Sequence, residues 1–327
     1  MKTVFKQAAA ALVGLAMGLG AVAPGTAHAA FPERPIKLIV GVPPGGGADM
    51  VARLLAEALH KELGQAIIVE NRPGAGGNIA ASEVARSQPD GYTLLLANSS
   101  HAINPSLYPK LPFDSVKDFM PISQVTANYF FLAVRPDLPA DSLAGLVKLA
   151  KESKSPLSYA SAGVGQGAHL GMALLVHEAG FEAVHVPFSG IGPAAQALLG
   201  GHVDMALLTP SSALPYAQAK KLRLLAVTAP QRVASMPDVP TVAESGYPGF
   251  EANNWQGVLA PARTPPETIA IVQRALVQAL KRPEVVQQLA ANGTDAVSST
   301  PEAFGKFLKS EAAKWGKVVK QVGATVN

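Results

Sequence analysis

The 327-residue chain contains no cysteine, which excludes disulfides, thiol catalysis and cysteine-ligated metal sites. Aromatic residues make up only 6% of it, so a core must be built mainly from Ala, Leu and Val. Charged residues are 15% against 48% hydrophobic, the balance of a globular protein whose core needs no covalent staples. Lys and Arg nowhere form a block, which removes the usual basis for nucleic-acid binding. Beyond residue 30 no run reaches the roughly 18 apolar residues that a membrane-spanning helix needs.

Catalytic signatures are missing too. After Gly47 come Ala48 and Asp49, not the Lys and Ser/Thr that a phosphate-binding P-loop requires. Gly163-x-Gly165-x-x-Ala168 approaches the dinucleotide fingerprint, but the next strand ends at Phe188 without an acidic residue to hold a ribose. Ser189 sits in Pro187-Phe188-Ser189-Gly190-Ile191, which lacks the first glycine of a nucleophile elbow. The seven histidines include no pair at i, i+4 and no H-E-x-x-H, so no zinc site is expected. These gaps argue against an enzyme and against a cofactor.

What is present begins with a leader. Lys2 and Lys6 precede an uncharged apolar stretch at 8–23, and Ala27-His28-Ala29 supplies a small-x-small cleavage site, the pattern of a secretory signal peptide cut after Ala29. Removal of Lys2 and Lys6 with it lowers the formal charge from +4 to +2.

The remaining chain alternates strands and helices. Strands are expected at 35–42, 66–70 and 92–97, separated by helices at 48–63 and 78–86. The rhythm returns with strands at 156–161, 183–188, 203–208 and 222–228 and helices at 169–179, 192–199 and 211–219. Extended stretches at 125–135 and 250–260 could carry the chain from one α/β unit to the other and back. Helices at 267–281, 284–292 and 301–322 close it. This predicts an α/β fold of two lobes, each a mainly parallel sheet flanked by helices, with a discontinuous first lobe.

Glycine-rich strand-to-helix corners recur at 43–49, 71–78, 161–169 and 189–193. One such corner need be no more than a tight turn. Four in two α/β units gather at the carboxyl edges of parallel sheets, where ligands bind. A helix N-terminus leaves its first N–H groups unpaired and carries partial positive charge, so it can hold an anion without a basic side chain. Pro43 and Pro44 stiffen the first corner, and Gly45, Gly46 and Gly47 would expose amides to a small carboxylate.

The stretches FPERPIKLIVGVPPGGGADMVARLLAEAL, VENRPGAGGNIAASEVARSQPDGYTLLL, HAINPSLY, HVPFSGIGPAAQALLGGHVDMAL and MPDVPTVAESGYPGFEANNWQGVLAPA occur in order across the chain. Together they resemble the tripartite tricarboxylate transporter substrate-binding receptors, the Bug proteins. The resemblance implies a type II periplasmic binding-protein fold, with lobe 1 from 30–126 and 251–327 and lobe 2 from 127–250. It further implies a monomeric periplasmic receptor for a small carboxylate (a di- or tricarboxylate, an amino acid or an aromatic acid). That ligand is handed to membrane transporter subunits or, alternatively, sensed by a periplasmic kinase domain. Matched position by position, the ligand residues are expected at Val42, Pro43, Pro44, Gly45, Gly46 and Asp49, and at Asn98, Ser99, Ser100, His101 and Ala102. In the second unit they are Ser161, Ala162, Gly163, His169, Ser189, Gly190, Pro193 and Asp204. Asp204 either accepts a hydrogen bond from a hydroxyl, amino or amide group of the ligand or caps nearby backbone. Many members carry Phe where this chain has Val42, which widens the pocket floor. Trp255 packs at the hinge or in the core.

Overall fold

The computed structural model describes residues 31–325; the expected leader at 1–29 lies outside the described residues. The run IKLIV forms β1 (Ile36–Val40), buried at four of five positions. It leads into α1 (Gly47–Leu63), which buries Val51, Leu54, Leu55, Ala58 and Leu59 at helical spacing and ends at Gly64 in the left-handed conformation. The pattern repeats through β2 (Ile67–Asn71), a 3-10 turn at Ala75–Gly77, α2 (Asn78–Ala85) and β3 (Thr93–Asn98). Then come α3 (Ser99–Leu107) and the long β4 (Phe119–Tyr129).

One residue later β5 (Phe131–Val134) opens a second set of elements. It continues with α4 (Leu143–Glu152), β6 (Leu157–Ser161), α5 (Gly167–Ala179) and β7 (Ala183–Pro187). α6 (Ile191–Leu199), β8 (Met205–Leu208), α7 (Pro210–Gln218) and β9 (Arg223–Val227) complete it. The chain returns in β10 (Asn253–Pro261), followed by α8 (Pro266–Lys281), α9 (Pro283–Ala291), the short β11 (Asp295–Ala296) and α10 (Pro301–Val322). As Thr300-Pro301 suggests, Thr300 Oγ1 caps α10 by accepting the Ala303 N–H at 3.2 Å.

The strands form a six-stranded sheet, β11-β4-β10-β3-β1-β2, and a five-stranded sheet, β7-β6-β8-β5-β9, in a single body that begins at Arg34. Both sheets are mixed rather than mainly parallel. β1, β2 and β3 are parallel, as are β6, β7 and β8. β10, however, runs antiparallel to both β3 and β4, and β5 antiparallel to β8 and β9. The reason is connectivity: a strand that leaves for the second sheet and one that comes back lie side by side in opposite directions.

α3 and α4 go beyond the sequence reading. α3 opens on polar residues and contains Pro105, which obscures its period; packing of Ile103 and Leu107 with Trp315 and Val318 of α10 compensates. Ser142 Oγ caps α4 by accepting the Gly145 N–H at 3.1 Å. Trp255 is in the core: it is fully buried, edge-on to Phe304 and Phe307. Its Nε1 donates to Glu311 Oε2 at 3.2 Å, an oxygen that also accepts from Trp315 Nε1 at 3.0 Å. Glu311 thereby ties the returning strand to α10.

Candidate functional site

Every parallel strand of both sheets sends its carboxyl-end corner to one cavity of about 760 Å³. Residues 41–47 follow β1, Pro73, Gly74, Gly76 and Gly77 follow β2, and Asn98 ends β3. Ala162, Gly163, Val164, Gln166 and Gly167 follow β6, residues 189–193 follow β7, and Thr209 and Ser211 follow β8. The antiparallel strands supply the remaining wall with Asn128, Asn254 and Gln256. Among the described residues no Lys, Arg, His, Asp or Glu lines this cavity.

Each corner leads into a helix whose N-cap residue lines the wall: Gly46 for α1, Gly77 for α2, Asn98 for α3, Gln166 for α5, Gly190 for α6 and Thr209 for α7. In three of them the first intrahelical bonds are Met50 N–H to Gly46 O (3.0 Å) in α1, Leu170 N–H to Gln166 O (3.2 Å) in α5 and Ala194 N–H to Gly190 O (3.2 Å) in α6. The amides preceding each of these have no carbonyl within the helix and form the positive end of its dipole. Glycine is needed where the corners approach one another: a Cβ on Gly41 would lie 2.9 Å from Gly77 Cα.

The corners are braced from behind. Asp49 Oδ2 accepts from Gly45 N–H at 2.9 Å and from Arg53 Nε at 3.0 Å, and its Oδ1 accepts from Asn71 Nδ2 at 3.0 Å. Asn71 Nδ2 also donates to Val42 O at 3.0 Å. Burial works to raise the Asp49 carboxyl, but the bonds from Arg53, Gly45 and Asn71 outweigh it and hold it below the usual range. One amide that the sequence offers to a ligand, that of Gly45, is thus already used inside the loop.

In the second unit, Gly165 N–H donates to His169 Nδ1 at 3.3 Å, and the His169 ring stacks on His185 with centroids 4.0 Å apart. His185 Nε2 pairs with Ser161 Oγ at 2.6 Å, and Ser161 Oγ also accepts the Gly163 N–H at 3.2 Å. Burial lowers His169 to about 3, with His185 adding to the effect, and lowers His185 to about 4. Both rings are therefore neutral supports of the 161–167 loop.

Of the residues expected at the site, Val42, Pro43, Pro44, Gly45, Gly46, Asn98, Ala162, Gly163, Ser189, Gly190 and Pro193 line the cavity. The others do not. Asp49, Ser161 and His169 sit behind the loops, as described. Ser99, Ser100 and Ala102 are buried in the first turn of α3, where Ser100 Oγ donates to Gln166 Oε1 at 2.9 Å. His101 is buried between Phe113 and Phe119, with Nε2 2.8 Å from Ser115 O; burial lowers it to about 4. Asp204 precedes β8 at the end opposite its corner at Thr209. Its Oδ2 accepts from the Ser158 N–H at 2.8 Å and the Ser158 hydroxyl at 2.9 Å, and its Oδ1 from Arg135 Nε at 3.1 Å. Asp204 thus caps the backbone of the neighbouring strand β6.

The sequence reading counted the 71–78 corner but named no ligand residue in it, and it missed Thr209, Ser211 and the polar residues of the crossing strands. The crossing strands had a signal: Asn128, Asn254 and Gln256 are uncharged polar residues at alternate positions in otherwise buried strands.

The profile of the Tripartite tricarboxylate transporter family receptor matches residues 51–324. Protein BugT of Bordetella pertussis is 37% identical over 316 residues, covering 96% of this chain and 97% of its own length. The solved periplasmic binding protein BugD superposes with a TM-score of 0.84 at 34% identity, over 90% of this chain and 99% of its own. MatC from Rhodopseudomonas palustris with bound malate superposes with a TM-score of 0.82 at 34% identity, over 88% and 100% of the two chains.

Proposed function

Because the chain belongs to the tripartite tricarboxylate transporter receptor family, we propose that it is a periplasmic solute receptor. It captures a small carboxylate and delivers it to a tripartite tricarboxylate-type membrane transporter. One observation carries the reading: an uncharged cavity is bordered by six strand corners, each of which leads into a helix. Such a wall favours an anion through N–H dipoles and, where a gap remains, bridging water. The absence of a full opposing charge keeps binding reversible, as a carrier requires. The relative with bound malate supports the carboxylate class.

In this reading the lobes comprise 30–126 with 251–327 and 127–250, and they close on the ligand about the Tyr129–Phe131 and Ala252–Asn253 crossings. Export follows from the leader at 1–29. No helix among the described residues is long and apolar enough to cross a membrane. The cavity lining carries hydroxyls at Ser189, Thr209 and Ser211 and, among the described residues, no His, Asp, Glu or Lys beside them.

A melting-temperature screen of the mature chain against mono-, di- and tricarboxylates, amino acids and uncharged analogues tests it. A ligand at about a hundred times its Kd stabilises by roughly 2.7 kcal/mol, a shift of a few degrees for a protein of this size. Hits confined to carboxylates support the reading. Silence across the carboxylates, or hits only among uncharged analogues, overturns it.

A further inference from the structure

The corners account for part of the cavity wall, and the crossing strands supply another part, with Gln256 of β10 opposite Asn98 of β3. β4 and β10 place Thr126 opposite Gln256 and Asn128 opposite Asn254. Residues two apart share a strand face, so these four polar side chains form a two-by-two ladder; the intervening Trp255 turns into the core. The ladder is internally ordered. Asn254 Nδ2 donates to Asn128 Oδ1 at 3.0 Å, and Asn128 Nδ2 donates to Thr294 Oγ1 at 2.9 Å. The Thr126 hydroxyl donates to Gln256 Oε1.

Gln256 is only 4% exposed, yet it lines the cavity and its Nε2 has no protein partner. Two residues away on the same face, Asn254 Oδ1 is also unpartnered. A buried amide that faces a cavity with its hydrogen-bonding capacity unused needs a partner from the ligand or from water. The ladder thus offers one donor and one acceptor side by side, with no charge.

Resting on the receptor reading above, we infer that Gln256 and Asn254 form a subsite for a neutral polar group that both accepts and donates, such as a hydroxyl or a primary carboxamide. The ligand is then a monoanion: one carboxylate meets the glycine corners, and an uncharged polar end meets the crossing strands. A second carboxylate fits poorly there. It would face the Asn254 acceptor without a counter-charge, and desolvating it would go uncompensated. The nearby α7 leaves only the Ser211 N–H of its first turn for a ligand. Pro210 has no N–H, and the Ser212 and Ala213 amides are already bonded to Thr209 O.

Titration calorimetry on the mature chain with two length-matched sets of acids tests this. The sets are butyrate, 4-hydroxybutyrate, succinamate and succinate, and hexanoate, 6-hydroxyhexanoate, adipate monoamide and adipate. At the length that fits, the hydroxyl- or amide-ended acid is expected to bind at least tenfold tighter than both the methyl-ended acid and the dianion. In Gln256→Glu, which keeps an acceptor for Thr126 but loses the donor, and in Gln256→Met, the gain relative to the methyl-ended acid falls to within twofold. Binding of the methyl-ended acids with no gain from a polar end, tightest binding of the dianions, or a gain that survives both substitutions overturns this subsite while leaving the receptor reading intact. If no acid of either set binds, the subsite inference falls, and the receptor reading is decided separately by the wider carboxylate screen above.

Discussion

Asp49 Oδ2 accepts the backbone N–H of Gly45 at 2.9 Å, a bond that closes the first glycine corner on itself. Gly45 holds φ at 85°, a conformation that glycine adopts readily, and Asp49 with Asn71 pins it there. The corner therefore meets its ligand already shaped.

Asp49→Ala tests that shaping. It leaves Gly45 N–H and Arg53 without their acceptor, which is expected to cost about 1–3 kcal/mol of stability and roughly tenfold in carboxylate affinity through a loosened loop. Asp49→Asn, which preserves shape and one acceptor, should lose less of both. Denaturant midpoints and calorimetry would measure the pair; wild-type affinity in Asp49→Ala would refute the role.

Acid should destabilise the chain well above the range in which ordinary carboxylates titrate. His101 and His185 are held neutral down to about 4 and His169 to about 3, mainly by burial, whereas the unfolded chain takes up those protons near 6.5. Between these limits the unfolded state binds more protons, so stability is full above 6.5 and falls as pH is lowered. Each histidine contributes on the order of 1 kcal/mol per pH unit in that window. Asp49, held below its usual range, extends the loss to lower pH, through its folded value. Urea titrations from pH 7.5 to 4.5 would reveal the slope, and His169→Gln should flatten it by one proton. A flat profile over pH 7 to 5 would contradict the buried-neutral assignment.

Asp204→Ala should separate stability from binding. The Ser158 N–H and hydroxyl lose their shared acceptor, a loss expected to cost roughly 1–3 kcal/mol. Carboxylate affinity should stay within about twofold of wild type, a shift of less than 1 kcal/mol. A tenfold fall in affinity with an unchanged melting temperature would place Asp204 at the ligand after all.

Glu311 offers a spectroscopic test. Its Oε2 accepts from both Trp255 and Trp315, the two tryptophans of the chain. Glu311→Leu orphans two buried indole donors and should cost about 2–5 kcal/mol. The intrinsic emission should change with it. Unchanged stability and emission would show that the carboxylate does not hold β10 to α10.

The strands and helices that carry the glycine corners were legible because their signals are local. Period-3.6 burial in α1, the Gly64 cap and the Thr300-Pro301 start each depend on residues a few positions apart. So did the loops 42–46, 162–163 and 189–193, since glycine and proline act on the backbone where they stand. His101 and Asp204 were not legible. Whether a polar side chain faces a cavity or satisfies a buried neighbour depends on partners far along the chain, such as Phe119 for His101 and Ser158 and Arg135 for Asp204.

By itself, then, the sequence determined the two α/β units, the neutral glycine corners and the membership that its ordered motifs carry, because each is written in short-range spacing. Only the tertiary structure decided that the sheets are mixed and that Asp49 and the His169–His185 stack stand behind the loops. It alone brought Asn128, Asn254 and Gln256 to the cavity wall. That last outcome arises where β4 meets β10, a pairing of residues more than a hundred positions apart that no local pattern records.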